Sequence, residues 1–159
     1  MKALIIVRGG DKSLHQQWLL TPKEKRSYDV ALSYFGSNPD FWKDRCDIFH
    51  HCSGSKWEGL SDFIKKYKDI FSSYDYIWLP DDDLIMHNSD VEKFFSICRK
   101  NDFIISQPSL MKYSFYSWKI TLQHKLYSFR ETNFVEIMAP CFKASSFSIG
   151  HCYKSKSSI

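Results

Sequence analysis

Tyr74-Asp-Tyr-Ile-Trp-Leu-Pro-Asp-Asp-Asp-Leu84 passes from an apolar run straight into three acids. Tyr76–Leu79 has the aromatic and branched composition of a buried strand. In open α/β sheets, ligands gather at the carboxyl ends of strands. Adjacent carboxylates placed there repel one another unless a cation neutralises them. Asp81 and Asp83 are spaced so that both turn toward one point in an extended loop. Hard divalent ions such as Mn²⁺ or Mg²⁺ accept carboxylate oxygens and keep positions open for phosphate. Held in this way, a metal bridges a diphosphate and stabilises its departure. A solvated acidic turn capping a strand accounts for the same residues without any ligand.

Outward from this stretch, short apolar strands alternate with amphipathic helices. Lys2–Val7 reads as a buried parallel strand that Arg8-Gly9-Gly10 breaks, and Asp29–Phe35 as a second strand ended by Gly36. Asp47–His50 is a short third. Ser55-Lys-Trp-Glu58 has the form of a capping box, and Trp57, Leu60, Phe63, Ile64 and Tyr67 follow at helical spacing. Ser89-Asp-Val-Glu92 reads as a second capping box, opening a helix with Val91, Phe94, Phe95 and Cys98 inward. Phe103–Ile105 is another strand. Pro108–Arg130 is irregular, with a strand expected at Trp118–Leu122 and a return to the sheet at Val135–Met138. The pattern predicts an α/β fold with a mainly parallel twisted sheet flanked by helices. A single domain is expected over 1–147 and an irregular, frayed tail over 148–159.

Composition narrows the function classes. With 159 residues, 43% hydrophobic and 25% charged, the chain has an ordinary globular balance. The longest apolar run near the start, Ala3–Val7, falls far short of the ~20 residues of a membrane span. It is also too short for a secretory signal, so a soluble cytoplasmic protein is expected. Residues 1–102 carry 15 Lys/Arg against 16 Asp/Glu, and residues 103–159 carry 7 against 2. Such a basic third suits phosphate-bearing ligands or peripheral contact with an anionic membrane. No dense Lys/Arg run points to nucleic acid. Five cysteines without a C-x-x-C pair read as reduced thiols.

At this level the chain resembles GT-A-type nucleotide-sugar glycosyltransferases, which carry a D-x-D motif at the end of a central strand. It is most similar to the domain-of-unknown-function 707 family, which is regarded as glycosyltransferase-like. The resemblance rests on Asp29–Gly36, Tyr74–Leu84, Ile105-Ser-Gln-Pro-Ser109 and Phe134–Phe142, which occur in that order. It implies a nucleotide-diphosphate sugar as donor and a glycan or other hydroxyl as acceptor. It further implies Asp81 and Asp83 on the metal, and Arg8, Gly9 and Asp81 near the nucleotide, where glycines let the backbone approach. A surface charge closing a strand is the plain alternative for Arg8. Relatives continue past the V-E-x-M-A-P segment where this chain ends differently. A truncated member that binds donor without catalysis is therefore a second expectation, and a metal-dependent phosphate-ester hydrolase a third.

Four further groups bear on function. On a strand, Glu136 would alternate away from Val135 and Ile137 into the cleft, as an acceptor contact or the base of an inverting transfer; an exposed strand Glu is the alternative. Tyr113–Trp118 would stack a sugar ring or, more simply, pack in the core. Cys46, His50, His51 and Cys52 are zinc-competent, but no second pair at zinc spacing accompanies them. His151 is the only late histidine.

Overall fold

In a computed structural model, which describes residues 1–147, β1 (Lys2–Gly9) is the strand on which the rest of the protein packs. Ala3 through Val7 are fully buried, which requires cover on both faces of the strand. Alternation divides them. Ala3, Ile5 and Val7 join Trp18, Tyr28, Val30, Leu32, Trp78, Val91 and Phe95 on one face. Leu4 and Ile6 join Ala31, Leu60, Phe63, Phe71 and Ile77 on the other.

The remaining elements are β2 (Tyr28–Tyr34), β3 (Ile48–His51), α1 (Lys56–Lys66), β4 (Tyr74–Trp78), α2 (Asn88–Asn101), β5 (Ile105–Ser106) and β6 (Cys141–Lys143). The sheet order is β3-β2-β1-β4-β6-β5. β1, β2, β3 and β4 run parallel, whereas β6 is antiparallel to both β4 and β5. This is the α/β architecture predicted, with α2 over one face and α1 over the other. No helix among the described residues is long and apolar enough to cross a membrane.

The first capping box forms as predicted, with Ser55 Oγ receiving the Glu58 N–H and Glu58 Oε2 receiving the Ser55 N–H. The second does not. The N-cap of α2 is His87, without a side-chain cap, and the Glu92 carboxylate instead receives the Ser27 N–H at 2.8 Å. A half-buried tertiary donor outcompetes a solvated local one. Trp118–Leu122 holds a 3-10 turn, Lys119–Thr121, rather than a strand.

Val135–Met138 is also not a strand. The Ala139 N–H closes a turn on the Glu136 carbonyl, and the chain re-enters the sheet only at Cys141. The Met138 and Pro140 carbonyls already receive the Asp81 and Leu79 N–H groups. Pro140 has no N–H to return, so the pairing becomes reciprocal only beyond it. The predicted tail and His151 lie outside the described residues.

Candidate functional site

The carboxyl ends of β1 and β4 meet at the acid loop, which the segment after β1 holds in place. The Asp82 carboxylate receives the Gly10 N–H at 2.9 Å, and its carbonyl receives the Leu14 N–H at 2.8 Å. Gln17 donates to the Leu84 carbonyl and accepts from the Met86 N–H, using both ends of its amide. Trp18 Nε1 donates to the Met86 carbonyl. The loop is therefore a built feature rather than a free acidic turn. Nothing in the sequence pattern marks Leu14 or Gln17 for this role, because their partners lie nearly seventy positions away.

The three acids have different partners. Asp81 lies beside Arg8 in an isolated bridge that prolongs the β1–β4 pairing, and its carboxylate is ion-paired with Lys56. Lys56 also donates to the Ile137 carbonyl at 3.0 Å. Asp82 is spent on the backbone. Asp83 is exposed, and among the described residues its carboxylate has no hydrogen-bond or ion-pair partner. No sequence pattern marks the Lys56 contact, although the Ser55–Glu58 box makes Lys56 the first residue of the helix.

Arg8 is neither a surface charge nor a free hand at the site. It is 4% exposed, with Nη1 donating to Ser33 Oγ and the Ser33 carbonyl and Nη2 to the Gly54 carbonyl at 2.7 Å. Nε is buried without a partner, and the cation lies 5.2 Å from the Phe35 ring centre. Burial lowers its pKa, opposed by the nearby Cys52 and Glu58. Gly9 is fixed by packing, since a Cβ there would sit 2.7 Å from Ser13 Oγ and 2.9 Å from Leu32 Cδ1.

Glu136 is partly buried. Its N–H donates to Gln107 Oε1, and Oε2 is buried without a partner. It lines a cavity of about 230 Å³ with Phe115, Tyr116, Ser117 and Met138. The neighbouring Met138 carbonyl receives the Asp81 N–H, so this cavity adjoins the acid loop. The alternation argument for Glu136 fails, because a turn rather than a strand presents it. The aromatic stretch is not core either: Tyr113 is 90% and Phe115 101% exposed. A larger hollow of about 380 Å³, lined by Gln16, Leu19, Leu20, Asp44, Arg45, Cys46 and Asp47, contains none of the acids after β4.

The family model described as "Protein of unknown function (DUF707)" matches residues 24–141. Among solved structures, the chain is similar to a "putative nucleotide-diphospho-sugar transferase" from Desulfovibrio desulfuricans G20. The TM-score is 0.54 at 13% identity, over 94% of this chain and 67% of that one. That likeness concerns the fold, and it agrees with the nucleotide-diphospho-sugar transferase architecture expected above. No curated protein matches the chain in sequence.

Proposed function

From the premise that the chain belongs to the DUF707 family, we propose that it binds a nucleotide-diphosphate sugar at the acid loop and acts as a glycosyltransferase on a hydroxyl acceptor. The observation that carries this reading is the division of labour among the acids after β4. Asp82 anchors the loop, Asp81 is held against Lys56, and Asp83 is left free at the carboxyl end of the sheet.

The donor set fits a hard divalent cation, since it consists of carboxylates with one unpaired member. Asp83 and Asp81 would hold Mn²⁺ or Mg²⁺, and the bound ion would neutralise the charge developing on a departing diphosphate. Lys56, released from Asp81, would face the same phosphates. Gly9 and Gly10 would serve the site through packing, against Ser13 and Leu32 and against Phe35, and Arg8 would act by positioning the ends of β1 and β2. Glu136, which lines the cavity beside the acid loop, would accept a proton from an acceptor hydroxyl.

A thermal-shift screen of nucleotide-sugars with and without Mn²⁺ tests this reading. A shift that needs both components and disappears in Asp83→Ala supports it. No shift with any nucleotide-sugar, or an undiminished shift in Asp83→Ala, rejects it.

A further inference from the structure

A second polar group lies on the α1 face of the sheet and is not part of the acid loop. Arg8, Ser33 and His50 are register neighbours across β1, β2 and β3, and all three are buried. Cys52 lies two residues past His50, and Asp62 comes from α1. His50 Nδ1 is 2.9 Å from Ser33 Oγ, and its Nε2 is 2.9 Å from Asp62 Oδ2. One ligand-capable atom from each of His50, Cys52 and Asp62 lies within 4.8 Å of the other two.

We propose that His50, Cys52 and Asp62 form a zinc site that ties the end of β3 to α1. The set supplies one nitrogen, one sulfur and one oxygen, a combination suited to Zn²⁺ rather than to the hard ions of an all-carboxylate loop. The set contains no paired Cys/His motif, because the third ligand is a helix carboxylate brought over by the fold. Three protein ligands leave the fourth tetrahedral position for solvent. Asp62, with its side chain 57% exposed, keeps that side open.

Proton accounting makes the histidine available. Arg8 Nη1 only donates, so Ser33 Oγ accepts that bond at 3.1 Å. The Ser33 proton then has two acceptors in reach, His50 Nδ1 and the Gly59 carbonyl at 3.4 Å. When the hydroxyl turns to Gly59, Nδ1–H donates to Ser33 and Nε2 presents its lone pair toward the Asp62 carboxylate. A metal-bound histidine usually has its other nitrogen held by just such an outer partner. The ring is also fixed in place, edge-on to Phe63 and Tyr67 at 5.6 and 6.1 Å. In a tetrahedral zinc site, ligand atoms stand roughly 3.3–3.6 Å apart. The His50–Asp62 pair is already near that spacing, and rotation of the half-buried Cys52 side chain brings in the sulfur.

Co²⁺ titration of the reduced full chain tests the site, because cobalt bound by thiolate gives a near-ultraviolet charge-transfer band that carboxylates do not. The wild type should show the band at stoichiometric metal. Cys52→Ser should lose it, and Asp62→Asn should bind at least tenfold more weakly, the lower bound being what loss of an outer partner alone costs. Cys46→Ser and Asp83→Ala should keep it. Zn²⁺ should raise the Tm of the wild type but not of Cys52→Ser. Cys52 and Asp62 lie at the surface, and an unchanged far-ultraviolet circular dichroism spectrum would show that their variants are folded. Absence of the band in the wild type, or its persistence in folded Cys52→Ser, would overturn the proposal.

Discussion

Lys56, on the first turn of α1, is ion-paired with Asp81, the first acid after β4. One helix residue thus neutralises one of the two carboxylates proposed to hold a metal, and it would compete with a metal for the same oxygen.

Removing this competitor should favour the ion. A partly exposed pair of this kind is worth about 0.5–1 kcal/mol, so Lys56→Met should tighten Mn²⁺ binding to the free chain about two- to fivefold. Its affinity for a nucleotide diphosphate should fall, because the phosphates lose a cation. Calorimetric titration of Mn²⁺ into both proteins measures the first effect. Unchanged or weaker Mn²⁺ binding in the variant would disprove the competition.

Gly59 lies in α1 over the Arg8 guanidinium, where a Cβ would stand 2.3 Å from Arg8 Cζ. Replacing glycine by alanine inside a helix ordinarily stabilises by about 0.5–1 kcal/mol. Here Gly59→Ala should instead destabilise by about 1–3 kcal/mol, as an overpacked core does. Urea unfolding measures the sign, and a gain in stability would show that Arg8 can move aside.

Asp47 is held by Arg26 at 3.0 and 3.1 Å and by the Val30 N–H at 2.8 Å. Burial pushes its pKa up, but the hydrogen bonds from Arg26 and Val30 and the charges of Arg26 and Lys23 outweigh this and hold it below the ordinary 3.8. The folded state therefore holds this proton less tightly than the unfolded chain does. Stability from Asp47 is complete above that ordinary value and is lost as pH falls from there through the depressed one. Asp47→Asn should cost about 3 kcal/mol near neutral pH and flatten the acid limb. Unfolding midpoints across the acid range test it, and an unchanged acid limb would refute it.

Glu92 separates local capping from tertiary bonding. Glu92→Ala strands the Ser27 N–H and should cost about 1–3 kcal/mol. Ser89→Ala removes no cap and should lie within about 0.5 kcal/mol of wild type. Equal losses in both variants would restore the capping box that the sequence suggested.

The sequence alone determined strands β1 to β4, the first capped helix, the position of the acids after β4 and the family resemblance, but not the course of the chain from Trp118 to Lys143. The strands, the helix and the acids follow from periodicity and spacing within about a dozen residues, the range over which local patterning acts, and the resemblance rests on four motifs in order. Tertiary structure decided how those residues are used. A turn closed by the Ala139 N–H on the Glu136 carbonyl keeps Val135–Met138 out of the sheet and presents Glu136. Ser27 drew Glu92 away from the cap. Burial turned Arg8 from a ligand-binding candidate into a strut beneath α1. Lys56 meets Asp81 across a sequence distance over which no local pattern carries information, and Asp62 meets His50 and Cys52 only because α1 folds back over the end of β3. Which carboxylates are paired and which are free depends on packing, because the cost of a buried charge or donor without a partner is settled only once the whole sheet and both helices are in place.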